Sequence, residues 1–109
     1  MPVRTQNIFD RRANDDRYQK LRVRLIDEWQ GRPGVQPLPD ILEEKDAGNR
    51  IVHVTVTWDE WSDLDAQTRS ELIVDALQEV KGQAAIVDLS LAMGLTRAEA
   101  ARLARAGNG

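Results

Sequence analysis

The chain has 109 residues, with 15 lysines and arginines against 18 aspartates and glutamates, a formal charge of −3, no cysteine and a single histidine, His53. Without cysteine, a disulfide scaffold, a thiolate zinc site, a cluster held by the chain's own thiolates and a cysteine nucleophile are excluded, and any histidine-based metal or catalytic site rests on His53 alone. A hydrophobic fraction of 41% and a charged fraction of 30% suit a single globular domain rather than a disordered chain.

No apolar run approaches the ~20 residues that span a bilayer. Residues 1–12 have no apolar core and do not read as a secretory signal, so a cytoplasmic protein without membrane attachment is expected. Charge is uneven along the chain. Residues 1–30 carry seven basic and five acidic side chains, residues 40–80 three against eleven, and the last fifteen residues three arginines against Glu99. The acidic middle argues against a nucleic-acid partner, because phosphate binding needs a concentrated cationic face.

Residues 1–14 are polar and without period and read as a mobile tail. Asn14 or Asp15 can cap a helix in which Tyr18, Leu21, Leu25, Ile26 and Trp29 share one face. Gly31 stops it and Pro33-Gly34 turns the chain. Residues 35–39, with two prolines, read as an extended connection. The clearest strand is 50–58, with Val52, Val54, Val56 and Trp58 on one face and Ile51, His53, Thr55 and Thr57 on the other. The turn composition Asp46-Ala47-Gly48-Asn49 makes residues 41–45 its antiparallel hairpin partner.

Asp59 to Asp63 is an acidic turn carrying Trp61, and Asp65 caps a helix over 66–80 with an inner stripe of Arg69, Leu72, Ile73, Ala76, Leu77 and Val80. Lys81-Gly82 ends it. Residues 84–93 read as a third strand buried on both sides, with a helix as the competing reading, and Gly94-Leu95 reads as a break. Thr96 with Glu99 three residues on is a capping box opening a terminal helix over 96–106, and residues 107–109 should fray. The order helix, strand, strand, helix, strand, helix predicts one α+β domain over residues 15–106, a two-layer sandwich whose three-stranded sheet carries helices on one face.

Two stretches of this order resemble the BolA family, whose members have a class II KH-like fold. Val54-Thr55-Val56-Thr57-Trp58, then Trp61-Ser62-Asp63-Leu64-Asp65 and Ala66-Gln67-Thr68-Arg69-Ser70-Glu71-Leu72-Ile73-Val74, is similar to the family's strand, aromatic turn and "R-H-R-x-V-Y" helix, with Arg69 in the first arginine's place. Ile86-Val87-Asp88-Leu89-Ser90-Leu91 and Thr96-Arg97-Ala98-Glu99-Ala100 are similar to its "I-H-A-L-S" strand and "T-P-E-E-W" helix. The resemblance spans residues 18–103. It implies pairing with monothiol glutaredoxins around a histidine-held cluster, but the two family histidines are Ser70 and Val87 here, and neither a serine hydroxyl nor a valine replaces imidazole as a cluster ligand. KH-like domains also grip single-stranded nucleic acid through a G-x-x-G loop. Gly31-Arg32-Pro33-Gly34 has that spacing, but it follows the first helix, and Pro33 lacks the N–H such a loop offers to phosphate.

His53 has no partner set by spacing, and Asp59, Glu60, Asp63 and Asp65 do not follow a calcium-loop pattern. No metal or cofactor is expected. Phosphate-loop, dinucleotide-binding and nucleophile-elbow motifs are lacking, which points away from an enzyme. Trp58 and Trp29 read as core. Trp61, in its acidic turn, reads either as an exposed anchor for a protein partner, with Glu60, Asp63 and Arg69 beside it, or as packed with Trp58 over the sheet and the first helix; Arg69 also reads as a structural ion pair with Asp59, Glu60 or Asp65. The sequence thus predicts a non-enzymatic protein-interaction domain, with a module for single-stranded RNA as the alternative. The open sheet edge makes a homodimer plausible.

Overall fold

Tyr18, Leu21 and Leu25 recur at three- and four-residue spacing and are buried together, which fixes the face that the first helix turns inward. The computed structural model describes residues 16–32 and 34–108; the expected tail over residues 1–14, the Asn14 and Asp15 caps and Pro33 lie outside the described residues. The elements are α1 (Asp16–Trp29), β1 (Asp40–Lys45), β2 (Ile51–Thr57), a 3-10 helix (Asp59–Asp63), α2 (Ala66–Lys81), a one-turn α3 (Ala84–Val87), β3 (Leu91–Leu95) and α4 (Arg97–Asn108). The fold is the expected α+β sandwich, with sheet order β1-β2-β3.

β1 and β2 form the expected antiparallel hairpin, and β3 lies parallel to β2 after the helical crossover. Asp46 closes the hairpin: its Oδ1 accepts the Gly48 N–H at 2.9 Å and the Arg50 N–H at 3.0 Å. Asn49, at φ 64°, takes the left-handed conformation that the turn requires. Pairing passes from Glu44↔His53 to Lys45↔Ile51, so Val52 is the extra residue of a bulge. The bulge turns Ile51 inward, where it is buried with Val54 and Val56, against the strict alternation expected from sequence.

The Asp65 side chain caps α2, accepting the Thr68 N–H at 2.8 Å. Arg69, Leu72, Ile73, Ala76 and Leu77 of its predicted stripe are buried. Gly82 ends the helix at φ 88°, a conformation open to glycine at little cost.

The third strand differs from the expectation. Residues 84–87 coil into α3, and the strand begins at Leu91, running through Gly94 and Leu95 where a break was expected. Ala84 and Ala85 have no β-branch and continue helically after Gly82. Gly94 stays in the sheet, paired with Val56, because Arg69 and Trp61 pack against it where a side chain would stand. Of the stretch Ile86 to Leu91 read as the family's later strand, Leu91 alone lies in β3. α4 runs on to Asn108, two residues past its expected end. Among the described residues, no helix is long and apolar enough to cross a membrane.

Candidate functional site

Trp61 does not present an exposed anchor. It is 0% exposed, and its indole Nε1 donates to the Val56 carbonyl at 3.0 Å. The 3-10 helix folds the ring back beneath the sheet, where it meets Trp58 edge-to-face at 5.2 Å. Burying an indole of this size with its N–H satisfied outweighs leaving it in the acidic loop. Trp58 is buried as expected; its Nε1 donates to Pro37 O at 3.0 Å, and the Arg24 guanidinium lies 5.0 Å from its ring centroid. Trp29 is half-buried and donates to Glu43 Oε2 at 2.8 Å.

The other three predicted residues separate into two environments. Glu60 and Asp63 face α1: Arg17 Nη2 reaches Asp63 Oδ1 at 2.8 Å and the Glu60 carbonyl at 2.6 Å, and Arg24 Nη1 reaches Glu60 Oε2 at 3.3 Å. This cluster ties the acidic turn to the first helix; the Arg17–Asp63 pair is open to water and contributes little, while the Arg24 and Glu60 side chains are largely buried. Arg69 is buried, at 7% exposure, and forms an ion pair as the sequence suggested, but with Glu99 rather than with the acidic turn. Its Nε donates to Leu64 O at 2.9 Å, and its Nη1 donates to Gly94 O at 3.1 Å and Glu99 Oε1 at 2.7 Å. The planar guanidinium thereby fastens the loop before α2, the third strand and the start of α4 together. The four residues form no common contact surface.

A surface that the sequence reading passed over lies on the other side of the sheet. Cross-strand partners there form the rows Asp40–Thr57–Leu95, Leu42–Thr55–Met93 and Glu44–His53–Leu91. α1 and α2 cover the opposite face, through Val54 and Val56. On the uncovered face Leu42 is 57% exposed and Leu91 43%. Asp40 and Glu44, both exposed, mark its β1 side, and His53 Nδ1 stands 3.4 Å from Glu44 Oε1. The signal was present in the alternation of β2, which sets His53, Thr55 and Thr57 away from Val54 and Val56, and in the expectation of helices on one side; what it lacked was the register of β3 that adds Leu91, Met93 and Leu95 to that face.

Of the grooves elsewhere, one along α1 beside Leu21, Val23 and Glu60 has a mainly apolar lining, and two are polar. In one of the polar grooves, beside Glu28 and Pro39, Glu43 receives Trp29 and lies 4.0 Å from Lys81 Nζ. Among the described residues, no group of three or more histidine, aspartate or glutamate side chains is placed to hold a metal ion. Comparison with protein-family models, with curated proteins and with solved structures gives no match for this chain.

Proposed function

We propose that this chain is a small non-enzymatic protein-interaction domain on a BolA-like or KH-like scaffold, taking an amphipathic, cation-flanked helix on the uncovered face of its sheet. The observation that carries this reading is the row pattern of that face: apolar Leu42, Met93, Leu91 and Leu95 lie in neighbouring rows opposite the helices, with Leu42 and Leu91 half exposed. Contiguous exposed apolar surface rimmed by charge is characteristic of recognition surfaces. The rim sets the partner's chemistry. Asp40 and Glu44 bring negative charge to the β1 side, so a helix with leucines on one face and lysine or arginine beside them matches in both respects. Ser70 and Val87 stand where the family's histidines would be, so the reading assigns no cluster or metal to the domain.

The test is a titration of the full chain, followed by amide chemical shifts, with a helical peptide of leucine and arginine and with a leucine–glutamate peptide as control. Shifts centred on Leu42, Thr55, Leu91 and Met93 with the cationic peptide, and weaker ones with the anionic peptide, support the reading. Shifts dispersed over α1 and α2, or none with either peptide, overturn it.

A further inference from the structure

We infer that one occupant of the open sheet face is the terminal helix of a second copy, so that two chains associate by exchanging α4 reciprocally. The inference rests on the proposed reading of that face and adds the identity of the helix it receives.

α4 leaves the end of β3 and is held to its own domain mainly at its first turn. Glu99 is bound to Arg69, and Ala100 is partly buried. Leu103 and Ala104 continue the stripe of Ala100 at three- and four-residue spacing, but no described residue covers them: Leu103 is 50% exposed and Ala104 is exposed. Among the described residues, an apolar stripe on this helix and an apolar face of the sheet are thus both left uncovered.

Their charges are complementary. Arg102 and Arg105 are exposed beside the helical stripe, while the one carboxylate of α4, Glu99, is engaged by Arg69. The sheet face has Asp40 and Glu44 on its β1 side. Lengths agree as well: twelve residues of α4 rise about 18 Å, and the seven residues of β2 run about 23 Å. A helix laid along the face thus reaches from one end of it to nearly the other.

Edge-to-edge pairing of two sheets is disfavoured at both edges. Antiparallel pairing of two β1 strands about Leu42 sets Asp40 opposite Glu44 of the other copy, and like charges placed opposite repel. At β3, Gly94 is buried and its carbonyl is already taken by Arg69. A two-fold exchange of α4 instead satisfies both exposed apolar surfaces of each copy at once.

Sedimentation velocity of the full chain over a range of concentrations and salt tests this. The expected result is a dimer that weakens with added salt, and a loss of association by about tenfold or more in each of Leu42→Asp and Leu103→Asp. Both positions are half exposed, so circular dichroism should report folded variants; should Leu42→Asp unfold, Leu103→Asp alone still decides. Mixing the two variants is the discriminating arm. One retains an intact helix and the other an intact face, so reciprocal exchange predicts that the mixture regains a one-sided complex stronger than either variant alone.

A wild-type chain that stays monomeric at millimolar concentration overturns the inference; if the cationic peptide still shifts the sheet face, the functional reading survives it. Dimerisation abolished by Leu42→Asp but untouched by Leu103→Asp also overturns it, in favour of face-to-face packing of the two sheets.

Discussion

Arg69 Nη1 donates to Glu99 Oε1 at 2.7 Å across 30 positions of sequence, and the same Glu99 oxygen accepts the Thr96 N–H at 2.9 Å. The Glu99 N–H in turn donates to Thr96 Oγ1 at 3.2 Å, completing the capping box at the start of α4. A local device that begins a helix is thus also the anchor that attaches it to the core.

Replacing Arg69 by methionine removes the donors to the Leu64 and Gly94 carbonyls and leaves both acceptors in a nearly dry site. The expected loss is about 2–4 kcal/mol in urea unfolding. Arg69→Lys should recover part of this, since one ammonium cannot reproduce the fork that serves three acceptors. Equal stability of the methionine variant and the wild type would refute the anchor.

Acid should loosen the same junction. The carboxyl of Glu99 is held below its usual 4.5, first by the Arg69 hydrogen bond and then by the Thr96 N–H, with burial opposing. Asp46 lies below its usual 3.8, chiefly through the Arg50 N–H, with burial opposing and the charge of Arg50 adding to the lowering. A depressed carboxyl binds its proton more weakly in the folded state than in the unfolded one, so its contribution is fully present above the unfolded value. It is lost as pH falls through the folded value. Stability is therefore expected to decline below about pH 4.5, and Glu99→Gln should flatten that decline, as read from melting temperatures between pH 7 and 3.

Of the glycines Gly31, Gly34, Gly48, Gly82 and Gly94, Gly94 has the tightest surroundings. A Cβ built there would lie 2.8 Å from Arg69 Cβ and 2.9 Å from Trp61 Nε1. Neither neighbour can retreat easily, since Arg69 is bound to three acceptors and Trp61 to Val56. Gly94→Ala is expected to cost about 1–3 kcal/mol or more and to alter tryptophan emission through displacement of Trp61. A silent substitution would show that the core around Trp61 is looser than these distances imply.

The same glycine explains where sequence reasoning failed. The hairpin, α1 and α2 were legible because each is set by local signals: alternation at Val54 and Val56, helical spacing from Tyr18 to Leu25, and caps at Asp65 and Gly82. A third strand after the crossover was legible, but its bounds were not, because Gly94-Leu95 looks like a break until Trp61 and Arg69 are packed against Gly94, a tertiary cause that leaves no trace in spacing. Trp61 misled for a related reason. An aromatic in an acidic turn reads as exposed, and the 3-10 helix that reverses it into the core has no strong pattern of its own. The open sheet face stayed hidden because Leu91, Met93 and Leu95 complete it, and their register in β3 is not set by local signals.

Trp61 accordingly serves the fold rather than a partner, and its substitution separates the two roles. Truncation to alanine empties a fully buried site and costs about 3–5 kcal/mol, enough to threaten folding outright. Trp61→Phe is the more informative change. It keeps a ring against Trp58 but removes the donor to the buried Val56 carbonyl, with an expected loss of about 2 kcal/mol. If recognition lies on the sheet face, this folded variant should bind the leucine–arginine peptide with an unchanged dissociation constant despite its lower melting temperature. Leu42→Asp should do the reverse, holding its melting temperature while losing the peptide. A variant at Trp61 that weakened binding without lowering stability would return the contact surface to the acidic turn.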